Sequence, residues 1–117
     1  MEPRETYRRW LLQLWHGDEA AADVLADDVV AHWPDRDMHG RAALTALIAE
    51  TRAMFDRLSF ELEAGPVVDG DLVAARWSGV GRTAAGEETA FLGHDLMRLT
   101  RDGRIAEYWV VSWTGRR

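Results

Sequence analysis

The chain has 117 residues, of which 29% are charged, and a net charge of −6. The length and composition predict one globular domain, 1–117. The negative net charge argues against a nucleic-acid partner, which would need a basic face. Cysteine and lysine are absent, which excludes disulfides, thiolate nucleophiles and Schiff bases. No apolar run approaches the ~20 residues of a membrane span and the N-terminus has no secretory h-region, so we expect a cytoplasmic protein with no membrane partner.

Two helices are predicted at the start of the chain. The first is indicated by apolar side chains that recur with the spacing of one helix face, namely Tyr7, Trp10, Leu11, Leu14 and Trp15. Gly17 would end this helix, and Asp18 can cap a short second helix that runs to Leu25.

A short strand and a third helix are predicted next. Val29–Trp33 is typical of a strand and stops at Pro34, after which residues 35–40 form a polar loop. Apolar side chains then mark one side of a helix that runs from about Arg41 to Arg57.

The rest of the sequence is typical of antiparallel strands. Apolar and polar residues alternate with period two from 58 to 63. Asp-Gly pairs at 69–70 and 102–103 indicate hairpin turns, because both central residues of a type I′ turn need positive φ. Strands are predicted at 72–82, 89–100 and 104–114. Three helices followed by an antiparallel meander indicate an α+β fold.

Five segments in this order resemble the SnoaL-like group of the nuclear transport factor 2-like (NTF2-like) superfamily: LADDVVAHWP, HGRAALTALI, VVDGDLVAARWSGVG, FLGHDLMRL and DGRIAEYW. The resemblance implies a cone in which three N-terminal helices pack on a curved, mainly antiparallel sheet and enclose a pocket. It also implies a homodimer that forms through the outer sheet face. The family includes polyketide cyclases, ketosteroid isomerase, limonene epoxide hydrolase, dehydratases and non-catalytic binding proteins, so the fold does not settle the function.

The register of the last hairpin decides which residues face the pocket. A two-residue turn at 102–103 places Asp95 opposite Val110, with Met97, Tyr108 and Ser112 on the same face. A three-residue loop would instead place Trp109 opposite Asp95. The resemblance supports the first register: Asp95 stands where ketosteroid isomerase has its protonated oxyanion Asp, and Val110 where cyclases usually carry a catalytic acid.

Four residues are candidate catalytic groups. Asp95 lies among apolar residues, so burial should raise its pKa and suit it to general acid/base work. Arg76 is the counter-ion of Asp95, an anchor for an anionic or carbonyl substrate, or a surface arginine on the outer face. His32 could shuttle protons at the pocket mouth, although a solvated histidine at the loop edge is the favoured interpretation. Tyr108 could orient the substrate by a hydrogen bond.

Six further residues are candidate substrate contacts. Trp10 and Trp33, which stand where the isomerase has its oxyanion Tyr and general-base Asp, would form an aromatic wall. The others are Met97, Val110, Ser112 and Ser78. By strand alternation, Trp77, Trp109 and Trp113 are expected on the outer face. No histidine or acid pair has ligand spacing, so no metal is expected.

These residues favour a cofactor-free enzyme that performs acid/base chemistry on a small, hydrophobic, carbonyl-bearing molecule such as a polyketide or isoprenoid. The reaction would be a cyclisation, isomerisation or dehydration. The missing acid at Val110 leaves open a non-catalytic domain that binds a small molecule or forms a dimeric interaction module. Epoxide hydrolysis is a weaker alternative, because only Arg76 of the hydrolase's Asp-Arg-Asp set is present and Ser78 stands at one of its Asp positions.

Overall fold

The helices lie in the first half of the chain, before the four long antiparallel strands, as the hydrophobic spacing predicts. A computed structural model describes residues 1–115, in which helix α1 covers Pro3–Leu12 and helix α2 covers Arg41–Ala53. Glu2 caps α1 by accepting hydrogen bonds from the second and third amides of its first turn. Between the α-helices, two 3₁₀ segments span Leu14–His16 and Glu19–Val24.

The chain turns between these segments at Gly17, which has φ of 95°, the left-handed region that favours glycine at a helix end. Asp18 caps the second 3₁₀ segment by accepting from the amide of Ala20, as predicted. The predicted second helix is therefore present, but with 3₁₀ rather than α geometry.

Six strands form one sheet in the order β2-β1-β6-β5-β4-β3. Their bounds are β1 Leu25–Trp33, β2 Arg36–His39, β3 Arg57–Asp69, β4 Leu72–Arg82, β5 Glu88–Leu99 and β6 Ile105–Gly115. Only the β1–β6 pair is parallel among these strands. The fold is therefore the predicted α+β arrangement of three helices on a mainly antiparallel sheet.

Several boundaries differ from the sequence prediction; β1, for example, begins at Leu25 rather than Val29. The segment 35–40, predicted as a loop, contains β2, which pairs back onto β1 with Trp33 opposite Arg36. The third helix ends at Ala53 rather than Arg57, because Arg57 already begins β3 and pairs with Arg82.

The helices cover one face of the sheet, here called the inner face, and the opposite side is the outer face. Tyr7 and Trp10 of α1 are fully buried against it. Across β4, β5 and β6 the alternation of side chains puts Val73, Asp95 and Tyr108 on the inner face with their neighbours two residues away. No helix among the described residues is long and apolar enough to span a membrane.

Candidate functional site

A cavity of about 200 Å³ lies between the helices and the inner face of the sheet. Its walls are mainly aromatic, formed by Trp15, Trp33, Phe60, Trp77, Phe91 and Tyr108. Aliphatic contacts come from Leu11, Leu47, Leu58 and Val110, and the other polar contacts from Arg36, Thr51 and Ser112. Such a wall favours a small, flat, apolar ligand.

Asp95 is the centre of a buried hydrogen-bond network next to this cavity. Its side chain is 3% exposed. Its Oδ1 accepts a hydrogen bond of 2.6 Å from the Tyr108 hydroxyl and one of 3.0 Å from the Trp77 indole N–H. Its Oδ2 accepts one of 2.8 Å from the Tyr7 hydroxyl. Tyr108 and Trp77 line the cavity but Asp95 does not, so a molecule in the cavity meets these two donors rather than the carboxylate itself.

Burial raises the pKa of Asp95, because a charge in an apolar interior is costly. The hydrogen bonds from Tyr108, Tyr7 and Trp77 oppose this rise, and so does the nearby Trp10 N–H, since all four groups favour the charged form. Desolvation outweighs them. The carboxyl is therefore a stronger base than an exposed Asp.

Burial also raises the pKa values of the two phenols. For Tyr7 and Tyr108 alike, desolvation is the main cause, followed by the charge of Asp95 and the hydrogen bond to it. Both hydroxyls therefore keep their protons at neutral pH, and each donates to the carboxylate. Tyr108 alone of the two also lines the cavity.

Trp10 lies deeper than predicted. Its ring is fully buried, 4.8 Å from the Tyr108 ring and 6.0 Å from that of Trp15, and it does not line the cavity. Its indole N–H has no hydrogen-bond partner within residues 1–115. The prediction of Trp10 as a pocket wall is therefore wrong, because α1 turns this face into the core behind Tyr108.

Several predicted contact residues do reach the cavity. Trp33, Val110 and Ser112 line it, and Trp33 packs edge-on against Tyr108 with ring centroids 5.8 Å apart. Met97 shares the inner face, since it is paired with Tyr108, but it is fully buried in the core and does not contact the cavity.

Arg76 lies on the outer face and does not contact Asp95. Its guanidinium donates to Glu63 at 3.0 Å and lies 2.8 Å from Nε2 of His94. Ala75 is the residue opposite Asp95, so alternation sends Arg76 and Ser78 to the other side and brings Trp77 inside. Three expectations are therefore wrong: Arg76 is not the counter-ion of Asp95, Ser78 does not contact the cavity, and Trp77 does not face outward. All three errors have one cause, since the inner and outer faces of β4 were assigned the wrong way round.

His32 also faces outward. Its Nδ1 lies 2.8 Å from Asp37 and its Nε2 lies 2.7 Å from Glu107, while the ring stacks on Trp109 at 5.6 Å. Hydrogen bonds to Asp37 and then Glu107 raise the pKa of His32 above its usual value. Because Trp33 points into the cavity, its neighbour His32 cannot, and the interpretation of His32 as a proton shuttle at the pocket mouth is wrong.

Three residues of the site were missed or undervalued by sequence reasoning. Arg36 was assigned to a loop, Trp77 to the outer face, and Tyr7 only to a helix stripe. A signal for Trp77 exists in the sequence: it lies opposite Gly93 across β4 and β5, and a glycine leaves room for a large ring on the same face. Among residues 1–115, no group of three or more histidine or acid side chains could hold a metal ion.

The sequence matches the family model described as SnoaL-like domain over residues 7–108. No protein with a curated description matches the sequence significantly. Among solved structures, an NTF2-like protein of unknown function from Exiguobacterium sp. 255-15 is similar, with a TM-score of 0.79 and 20% identity. That similarity covers 92% of this chain and 98% of the other.

Two similar structures belong to proteins with a named activity. A proposed isomerase of the SnoaL-like family from Agrobacterium tumefaciens str. C58 has a TM-score of 0.71 and 20% identity, over 91% of this chain and 92% of its own. The epoxide hydrolase/cyclase-like enzyme SalBIII has a role in pyran ring formation in the polyether salinomycin. It has a TM-score of 0.77 and 18% identity, over 95% of this chain and 90% of its own. At these identities the similarities show that the fold is shared, and they do not extend to the activity.

Proposed function

Because the chain belongs to the SnoaL-like domain family, we propose that it binds a small, apolar, carbonyl-bearing molecule in the aromatic cavity and performs acid/base chemistry on it without a cofactor. Cyclisation, isomerisation and dehydration are the reaction classes that we favour. Proteins of this family include a proposed isomerase, and a cyclase-like enzyme shares the fold.

One observation carries the proposal: Tyr108 contacts both the cavity and the buried carboxylate. It lines the cavity wall and donates a hydrogen bond of 2.6 Å to Asp95. A phenol in this position can accept a proton from a bound molecule while it passes its own proton to the carboxylate behind it. Tyr108 is then the catalytic residue that contacts the substrate, and Asp95 is the proton acceptor.

The proposed reaction begins with the removal of one proton from the substrate. A C–H bond next to the substrate carbonyl breaks, and its electron pair remains on the substrate as an enolate. The proton moves to the Tyr108 oxygen, and the phenolic proton moves to ionised Asp95. The transfers then run in reverse: Tyr108 delivers one proton to another carbon of the enolate or to a leaving hydroxyl, which departs as water, and Asp95 returns its proton to Tyr108. The raised pKa of Asp95 helps the forward transfer, because it makes the carboxylate a stronger base.

The cavity restricts the size of the substrate. Its volume of about 200 Å³ is below the ~300–1,000 Å³ usual for sites that hold drug-sized ligands. One or two fused rings therefore fit better than a long polyketide chain. The aromatic walls of Trp33 and Phe60 favour a flat ring system.

A non-catalytic binding domain is the second candidate, and a specific observation favours it. Within residues 1–115, no aspartate, glutamate or histidine lines the cavity, and both oxygens of Asp95 already accept hydrogen bonds. Epoxide hydrolysis loses support, since Arg76 lies on the outer face with Glu63 and His94.

Solvent exchange would test the proton relay without knowledge of the natural substrate. The bicyclic ketone 2-tetralone would be incubated with the protein in D₂O, and loss of the protons next to its carbonyl would be followed by NMR. Tyr108→Phe should lower the protein-catalysed exchange rate by about 10²-fold or more, in line with the loss of a general acid/base. Quenching of tryptophan fluorescence would show that the variant still binds the ketone.

Tyr7→Phe is the matched control, because Tyr7 donates to the same carboxylate but does not line the cavity. Its exchange rate should fall by less than about tenfold. Loss of the Tyr7 hydrogen bond raises the pKa of Asp95 further, so the acid limb of the pH–rate profile should move to higher pH. Equal losses in both variants would assign the network a structural role alone. Binding without exchange in the wild-type protein would select the non-catalytic candidate.

We also propose that the outer face pairs with a second copy of the chain. Large apolar side chains on this face remain exposed, with Leu96 at 40%, Val111 at 56% and Trp113 at 43%. Charges of both signs, Arg76 and Glu63, lie beside them. A two-fold axis would bring such a mixed patch against its own copy, where opposite charges can meet.

A further inference from the structure

Arg36 brings a positive charge to the cavity. Strand β2 pairs back onto β1 through a two-residue turn, and Arg36 lies directly opposite Trp33. Residues opposite each other in a ladder share a face of the sheet. Since Trp33 lies on the inner face, Arg36 does as well, and both line the cavity.

This charge has no counterpart in the cavity wall. Among residues 1–115, the side chains that line the cavity include no aspartate or glutamate, and Arg36 is the one formal charge that they carry. Within residues 1–115 its guanidinium makes no ion pair or hydrogen bond, whereas Arg9, Arg41 and Arg76 are each paired with an acid. A cation without a partner at the edge of an apolar cavity can bind an anionic ligand group.

The fold keeps the nearest acid of the same strand away from Arg36. Asp37 is next to it on β2, but alternation turns Asp37 to the outer face, where it is bonded to Nδ1 of His32 at 2.8 Å. His32 is held in turn by Glu107 at 2.7 Å. The outward network therefore occupies the Asp37 carboxylate, which would otherwise compete for the Arg36 guanidinium.

We propose that the ligand of this cavity is a small cyclic carboxylic acid, whose carboxylate binds Arg36 while its ring lies between Trp33 and Tyr108. This rests on the proposed function, since it assumes that the cavity holds a small apolar molecule. Arginine suits the role because its planar guanidinium forms two parallel hydrogen bonds to a carboxylate. Ser112 lines the cavity, and its hydroxyl, which makes no side-chain hydrogen bond within residues 1–115, can bind a further polar group of the ligand.

The test compares two probes of the same shape that differ in charge. Binding of 2-naphthoate and of neutral 2-naphthamide would be measured by tryptophan fluorescence and by calorimetry at about pH 7.5. The carboxylate should bind the wild-type protein about tenfold more tightly at low salt, a preference typical of a charge-assisted hydrogen bond. Because Arg36 is exposed, this preference should shrink as salt is added.

Arg36→Met keeps the aliphatic stem and removes the charge. It should bind both probes equally, with an affinity for 2-naphthamide within about twofold of wild type, which shows that the cavity is intact. Arg101→Met is the matched control, because Arg101 is exposed on the β5–β6 turn and does not line the cavity. It should keep the full preference for the carboxylate.

Two kinds of result would contradict the proposal, and they have different consequences for the proposed function. Equal binding of the two probes by the wild-type protein, or an unchanged preference in Arg36→Met, would remove the role of Arg36 and leave the small-molecule cavity in place. Failure of both probes to bind would contradict the cavity as a site for flat bicyclic molecules, and with it the proposed function.

Discussion

The hydroxyl groups of Tyr7 and Tyr108 end on different oxygens of one carboxylate, at 2.8 and 2.6 Å from Asp95. Tyr7 belongs to the first helix and Tyr108 to the last strand, so the carboxylate joins the two ends of the chain inside the core. Trp77 adds a third donor from β4. The network thus fixes the helix layer over the sheet directly beside the cavity, and changes to it should affect both stability and chemistry.

Asp95→Asn should lower the free energy of unfolding by about 2–4 kcal/mol, because hydrogen bonds to a charged group contribute ~1.5–3 kcal/mol each and an amide nitrogen cannot accept. One of the three donors would then face another donor. Urea denaturation followed by circular dichroism measures the change. Asp28→Asn, at an exposed position of β1, is the control and should have little effect. An unchanged stability in Asp95→Asn would mean that the carboxyl is protonated in the folded protein.

The pairing of Asp95 with Val110 could be predicted from the sequence, although the turn that produces it was described incorrectly. The pairing of Leu99 with Ile105 encloses residues 100–104, a longer loop than the two-residue turn predicted at 102–103. This pairing by itself would shift the register between β5 and β6. A bulge between Arg98 and Leu99 restores the predicted register, so that Arg98 pairs with Glu107 and Asp95 with Val110. No residue in that stretch marks a bulge, because its position depends on how the neighbouring strands pack.

The composition of the site was harder to predict than the fold. Hydrophobic period and Asp-Gly turns give the strands, but which face of β4 is buried depends on its partner strands. Because the two faces of β4 were assigned the wrong way round, Arg76 was expected in the pocket and Trp77 on the outer face. Arg36 was missed because Pro34 and the charges after it resemble a loop, and the hairpin that places it in the cavity forms only against β1.

His32 should make the stability depend on pH around neutrality. Its pKa is raised in the folded state by hydrogen bonds to Asp37 and Glu107, so its stabilising effect is complete below the unfolded value of ~6.5 and is lost as the pH rises through the folded pKa. The difference in unfolding free energy between wild type and His32→Gln should therefore be largest below pH ~6.5 and shrink as the pH rises above it. Asp37→Asn removes the larger cause and should reduce this dependence. A difference that does not change with pH would contradict the prediction.

Gly93 and Trp77 should be coupled energetically. They are directly opposed on β4 and β5, and a Cβ at Gly93 would overlap the six-membered ring of the indole. Gly93→Ala should therefore cost about 1–3 kcal/mol of stability, the usual penalty of overpacking a core. It should also disturb the hydrogen bond from Trp77 to Asp95.

A double-mutant cycle isolates this contact. Trp77→Phe removes the ring atoms that the new methyl group would meet, so Gly93→Ala should cost at least ~1 kcal/mol less in that background. Chemical denaturation of the four proteins supplies the coupling energy. Purely additive costs would show that the sheet, and not the indole, yields to the methyl group.

Val111→Glu should convert a dimer to a monomer, if the outer face pairs with a second copy as we propose. Val111 is 56% exposed beside Trp113 and Leu96, and an isologous interface would bring each new carboxylate close to its own copy. Light scattering after size exclusion should give twice the chain mass of 13.2 kDa for wild type and the single mass for the variant. Met54→Glu is the matched control, since Met54 is 68% exposed but follows α2, on the helix side of the sheet. A dimer in both variants, or a wild-type monomer at micromolar concentration, would exclude this face as the interface, because burying a carboxylate pair without a partner charge costs several kcal/mol.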